Sequence, residues 1–262
     1  MCDPRLERLA QDVRQAAKAT ALPVNLEQIA AFDDILLQPI AAHSDFNGKI
    51  EFLPDENVFV IFHPDPATYA YPARLRFSIA HELGHFYIDE HREALVRGES
   101  HSSAAPFRSK NPREVEADEF AAALLIPPGT MEGFIEKRGF LTLTEVCRTA
   151  TNCQVSRYAA AIRYARMASE VCHVILAHRG IIKSYFGSDE AHLSGFGKIN
   201  VDRLPATSPA RDLAASSDIG EIKEQGHAIE NWFDRSGRKR IWESCAFLGE
   251  GYTLSLLSLE EN

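Results

Sequence analysis

Arg76-Phe77-Ser78-Ile79-Ala80-His81-Glu82-Leu83-Gly84-His85 is the stretch on which the reading of this chain turns. It contains no Pro, and Phe77, Ala80, Leu83 and Gly84 suit a helix that packs inward. At about 100° per residue, helix positions four apart differ by about 40° in direction and about 6 Å in height. His81 and His85 can therefore aim ring nitrogens at one point. Glu82 stands beside the pair, close enough to exchange a proton with whatever the rings hold. Two imidazoles without partners are costly to bury in an apolar helix, so a shared metal ion explains the spacing better than chance does.

The pattern His81-Glu82-x-x-His85 is the HExxH signature of zinc hydrolysis: two ligands and a general base on one helix face. Zinc lowers the pKa of a bound water to about 7, which makes hydroxide available at neutral pH. Such a site takes a third protein ligand and leaves one position for water. His91 has the spacing of a longer His motif, but that motif turns the helix at a glycine and Ile88 stands there. A β-branched side chain resists the left-handed backbone of such a turn. The rival source is Glu114-Val115-Glu116-Ala117-Asp118-Glu119-Phe120-Ala121-Ala122-Ala123-Leu124-Leu125-Ile126-Pro127. Its inward stripe is read as Val115, Phe120, Ala123 and Leu124, with small residues at 117, 121 and 122 allowing close approach to the first helix. Glu114 and Glu119 are read as favouring the positive end of the helix dipole, and Glu116, beside the stripe, as the ligand.

Outward from these two helices, the periodicity predicts a helix over 3–18 and a short one capped by Asn25. Strands are expected over 48–53 and 58–62 around the turn Pro54-Asp55-Glu56-Asn57, with Gly48–Leu53 as an open edge. Helix is expected from 73 to about 90, and a polar, Ser-rich loop from 97 to 110. Asn111-Pro112 opens the next helix, with Glu114 placed to bond back to its cap, and Pro127-Pro128-Gly129 stops it. Helices over 143–150 and 155–167 follow. The last part reads as hairpins over 171–186 and 246–259 with a helix near 219–233. These shifts suggest a domain over 1–130, a helical segment over 131–169 and an α/β domain over 170–262. The fold class expected is α+β.

The chain has 262 residues, with 28 basic and 37 acidic side chains, and its net charge of −9 argues against a protein that coats nucleic acid. At 45% hydrophobic and 25% charged it can fill a core, which argues against disorder. No run approaches the roughly 18 apolar residues of a membrane span. The first residues mix charges where a secretory signal needs an apolar segment. Five Cys without a CxxC pair suit a reducing cytoplasm.

Phe77–His85 followed by Glu116-Ala117-Asp118-Glu119-Phe120-Ala121-Ala122-Ala123-Leu124-Leu125-Ile126-Pro127 resembles the ImmA/IrrE family of metallopeptidases, over about residues 45–128. The resemblance implies a zincin-like domain with a small sheet and active-site helices. It also implies zinc held by His81, His85 and Glu116, with Glu82 as catalytic base. Asp118 stands where that family more often has Asn. The helix pair around Thr151-Asn152-Cys153 resembles a helix-turn-helix, although Arg157, Arg163 and Arg166 are few for phosphate binding and a packing role is the plainer reading. Radiation-response members of the family carry a GAF-like C-terminal domain, with which the two hairpins are compatible. The implied substrate is a partner protein, a helix-turn-helix transcriptional repressor, cut in a stress, DNA-damage or phage-related response. Single-stranded DNA as an activating signal is a minority expectation. It rests on Arg235-Ser236-Gly237-Arg238-Lys239-Arg240 between Trp232, Phe233 and Trp242. The competing class is a DNA-responsive binding module with structural zinc and no proteolysis.

Overall fold

The structure, a computed structural model, describes residues 2–41, 46–99, 103–104, 111–131, 142–216, 218–234 and 238–260. Most of the loop expected over 97–110, the start of the segment expected over 131–169, and Arg235-Ser236-Gly237 lie outside the described residues. The chain forms two compact units, Cys2–Pro127 with Thr151–Ser156, and Pro128–Ala150 with Arg157–Asn262. Both mix helix and sheet, as the α+β expectation required.

In the first unit, α1 (Pro4–Ala16) is capped by Asp3, whose side chain accepts from the Arg5 N–H, and buries Leu6, Ala10 and Val13. Asn25 caps α2 (Leu26–Phe32) by accepting from the Gln28 N–H. The sheet holds β1 (Leu36–Ile40), β2 (Phe46–Leu53), β3 (Val58–Pro64) and the two-residue β4 (Ser103–Ala104), in the order β1-β3-β2-β4. β1 runs parallel to β3; the other pairs are antiparallel. β1 is mostly exposed and contains Pro39, a composition tolerated at an edge but one that hides a strand from pattern reading. The expected open edge over 48–53 holds only in part. β4 pairs with β2 at Phe46 and Gly48, while Lys49–Leu53 pair with β3.

Pro72 opens α3 (Pro72–Tyr87), at a position where its missing N–H costs nothing. The expected helix does not run on to 90. Ile88 adopts φ −81°, ψ 112°, and the chain re-enters helix as α4 (Asp89–Val96). The turn thus needs no left-handed residue, and ordinary extended backbone suits a β-branched side chain. α5 (Pro112–Leu125) starts at Asn111, whose side chain accepts from the Arg113 N–H. Its inward face is Ala117, Phe120, Ala121 and Leu124; Val115, expected on that face, is exposed.

α3 and α5 approach closely because Gly84 faces Ala117. A Cβ at residue 84 would sit 3.2 Å from Ala117 Cα and 3.3 Å from its carbonyl oxygen. Replacing Gly84 by Ala is expected to wedge the helices apart and destabilise the protein by about 1–3 kcal/mol, read from the midpoint of denaturant unfolding. On the far side of α5, buried Arg14 donates Nη1 to the carbonyls of Ala123 (2.7 Å) and Leu124 (3.2 Å), satisfying the last turn of the helix.

In the second unit, α6 (Leu143–Cys153) begins where Leu143 donates its N–H to Ser244 Oγ at 2.9 Å. α7 (Arg157–Met167) packs on β5 (Cys172–His178) and β6 (Ile181–Gly187), burying Ala160, Ala161, Tyr164 and Ala165. Its arginines turn inward: Arg163 is buried, Arg166 lies 5.7 Å over the Phe186 ring, and Arg157 reaches the Phe247 carbonyl at 3.4 Å. After β6 come the short helices α8 (Asp189–Leu193) and α9 (Pro209–Leu213), then β7 (Ile222–Ala228), β8 (Arg240–Gly249) and β9 (Tyr252–Glu260). These strands form an antiparallel sheet in the order β6-β5-β9-β8-β7.

The helix expected near 219–233 is therefore corrected to strand β7 and a 3-10 turn over Ile229–Asn231. Ile222-Lys223-Glu224-Gln225 has helix-favouring composition, but pairing along β8 overrides local preference. β8 is also longer than its sequence suggests, because Glu243 is fully buried inside it. Ser208 and Ser255 hydroxyls donate to Glu243 at 2.9 and 2.8 Å, and His227 Nε2 lies 3.0 Å from its other oxygen.

Candidate metal centre

The site lies within the first unit, between α3 and α5. His81 and His85, one turn apart on α3, are both buried, and their Nε2 atoms lie 3.1 Å apart. Glu114, in the first turn of α5, brings one carboxylate oxygen to 3.4 Å from His81 Nε2 and the other to 3.7 Å from His85 Nε2. At metal–ligand distances near 2.1 Å, tetrahedral donors stand about 3.4 Å from one another. The three separations bracket that value. Among the described residues, His81, His85 and Glu114 form the group able to share one ion.

Among the described residues His81 and His85 lie together as the sequence reading placed them, but Glu116, expected as the third ligand, is not grouped with the two rings. It is Glu114 that joins them. Residues two apart on a helix point about 200° apart, so 114 and 116 cannot both face α3. Glu116 instead accepts from His91 Nε2 at 3.1 Å and pairs with Arg5. Glu114, expected to serve its own cap and the helix dipole, faces the histidines because it lies three residues before buried Ala117.

Asp118 was not foreseen in any role. Its Oδ1 sits 2.9 Å from His81 Nδ1, so the carboxylate orients the ring with Nε2 on the side of His85 and Glu114. The signal was present in the sequence. Glu114 and Asp118 are four apart, the same spacing that paired His81 with His85. Burial opposes a charge on His81. Hydrogen bonds to Asp118 and Glu114, with the nearby Glu82 charge, outweigh it and push the pKa up to about 10.

Glu82 is fully buried on α3, and β2 crosses directly over it. A Cβ at Gly48 would lie 3.1 Å from Glu82 Oε1 and 3.3 Å from its Cγ. Close to these residues in sequence, Tyr87 donates its hydroxyl to Asp33 at 2.6 Å and Arg76 reaches the Val24 carbonyl at 2.8 Å. Burial, aided by Asp33, raises the Tyr87 pKa. The His91 ring lies 5.0 Å from that of His85. Burial holds the His91 pKa down, against the pull of Glu116.

No curated protein sequence matches the chain. Among solved structures, a Mycobacterium tuberculosis transcriptional regulator superposes with a TM-score of 0.58 at 13% identity, covering 97% of this chain and 75% of that one. That likeness is one of fold. Among the described residues no helix is long and apolar enough to cross a membrane. The family model of the Peptidase_M78, IrrE N-terminal-like domain matches residues 68–165, which takes in α3, α4 and α5 with every group gathered at the metal centre. Residues 68–165 thus match an IrrE N-terminal-like domain of the Peptidase_M78 type, in agreement with the resemblance of the two helical motifs.

Proposed function

We propose that this protein is a cytoplasmic, zinc-dependent endopeptidase that cleaves a partner protein, a helix-turn-helix transcriptional repressor, in a stress, DNA-damage or phage-related response. The observation that carries the reading is the convergence of His81, His85 and Glu114 at tetrahedral spacing beside the buried carboxylate of Glu82. His81, His85 and Glu114 would hold the zinc ion, which would supply Lewis acidity to a scissile carbonyl and lower the pKa of a water toward neutrality. Glu82 accepts the proton of the attacking water and returns it to the leaving amine. Asp118 holds His81 in the tautomer that presents Nε2. Among the described residues no strand pairs with Lys49–Leu53 on the side away from β3, where an extended peptide would add as a strand.

The test is incubation with a repressor encoded beside this chain. Cleavage is expected with zinc, lost with chelator and restored by added zinc; an uncut repressor under all three conditions overturns the reading. A second expectation follows from the crossing of β2 over Glu82. Gly48→Ala presses a methyl group on the carboxylate and should lower kcat about tenfold, with KM little changed, in steady-state peptide cleavage.

A further inference from the structure

Glu116 carries the motif by which this chain resembles its family, yet the structure gives it contacts of another kind. α4 leaves α3 through the extended residue Ile88, and that change of direction turns His91 back toward His85. His91 is 3% exposed, and its ring meets that of His85 at 5.0 Å with an interplanar angle of 37°. Its Nε2 donates to Glu116 Oε2 at 3.1 Å, while its Nδ1 is buried with no hydrogen-bond partner among the described residues. The Glu116 bond is therefore the polar contact that sets how the His91 ring is turned. Glu116 is anchored in its turn: its other oxygen pairs with Arg5 of α1, which also reaches Glu90 of α4 at 3.8 Å.

The two histidines of α3 thus have different supports. Asp118 fixes His81 through a hydrogen bond, and His91 backs the face of His85. We infer that Glu116 and His91 are a positioning pair that fixes the ring of His85 for metal binding, Glu116 acting through His91 and not as a ligand. The inference rests on the metallopeptidase reading above. Residues that orient a ligand typically change metal affinity 10–100-fold when removed.

The test uses the full chain, with zinc affinity measured by competition against a chromophoric chelator and the visible spectrum of the Co²⁺-loaded protein as a second readout. His91→Ala and Glu116→Ala should each weaken zinc by about 10–100-fold and shift the cobalt bands. Glu116→Gln keeps an oxygen that accepts from His91 Nε2–H and should stay near wild type. The double variant His91→Ala/Glu116→Gln should be no weaker than His91→Ala.

Glu116 is 35% exposed, so its variants are expected to fold even where His91→Ala does not. Unchanged zinc affinity and cobalt spectrum in Glu116→Ala overturn the inference. Loss of metal in Glu116→Gln as complete as in Glu114→Gln overturns it too, by making Glu116 a ligand. A wild-type chain that binds neither ion removes the metallopeptidase reading itself, an outcome distinct from a wild type that binds both and is indifferent to residue 116.

Discussion

Glu82→Gln is expected to lower kcat for repressor cleavage by about 10²–10⁴ and to leave metal content unchanged. The size follows from what the substitution removes. Gln keeps the volume and a hydrogen-bonding oxygen but cannot take the proton that the attacking water must lose. Retention of metal follows from position, because the donor group is His81, His85 and Glu114, and Glu82 only adjoins it on α3. Two measurements on one sample decide the matter: elemental analysis for the metal and a time course of substrate loss. Metal retained with cleavage gone supports the peptidase. Metal retained with regulation intact and no cleavage in either protein favours the competing class, a binding module with structural zinc.

Glu114→Ala should cost the protein its metal, with affinity falling on the order of a hundredfold or more, since one of three protein donors disappears. Catalysis should vanish with it. The pH dependence of uptake gives a further check. His81 is held protonated up to about pH 10 by its carboxylate neighbours, so an entering ion must displace that proton. Affinity is then expected to rise about tenfold per pH unit as pH climbs toward 10, with about one proton released per ion in unbuffered titration. A flat profile between pH 7 and 9 would contradict a raised pKa at His81.

The helices of the site were legible because each carries its own periodicity. Asn25 and Asn111 announce their helices, and Gly84 with Ala117 and Ala121 announces a close helix pair. β1 was not legible, since an exposed edge strand with Pro39 lacks the buried alternation that marks a strand. β7 read as helix because Lys, Glu and Gln favour helices, and only its partner β8 makes it a strand. The buried Glu243 is hidden for the same reason: its hydroxyl and imidazole partners come from residues 208, 227 and 255, far apart along the chain.

The sequence by itself determined that His81 and His85 share a direction, because four-residue spacing on one helix is a local fact of backbone geometry. It determined likewise that Glu82 adjoins them and that a carboxylate-rich helix follows. Which carboxylate completes the set was decided by tertiary packing. The rotation of α5 about its own axis depends on how Ala117 seats against Gly84, and a turn of about 200° separates residue 114 from residue 116. The same packing, with the break at Ile88, gave Glu116 a histidine to hold and Glu114 its place between the rings.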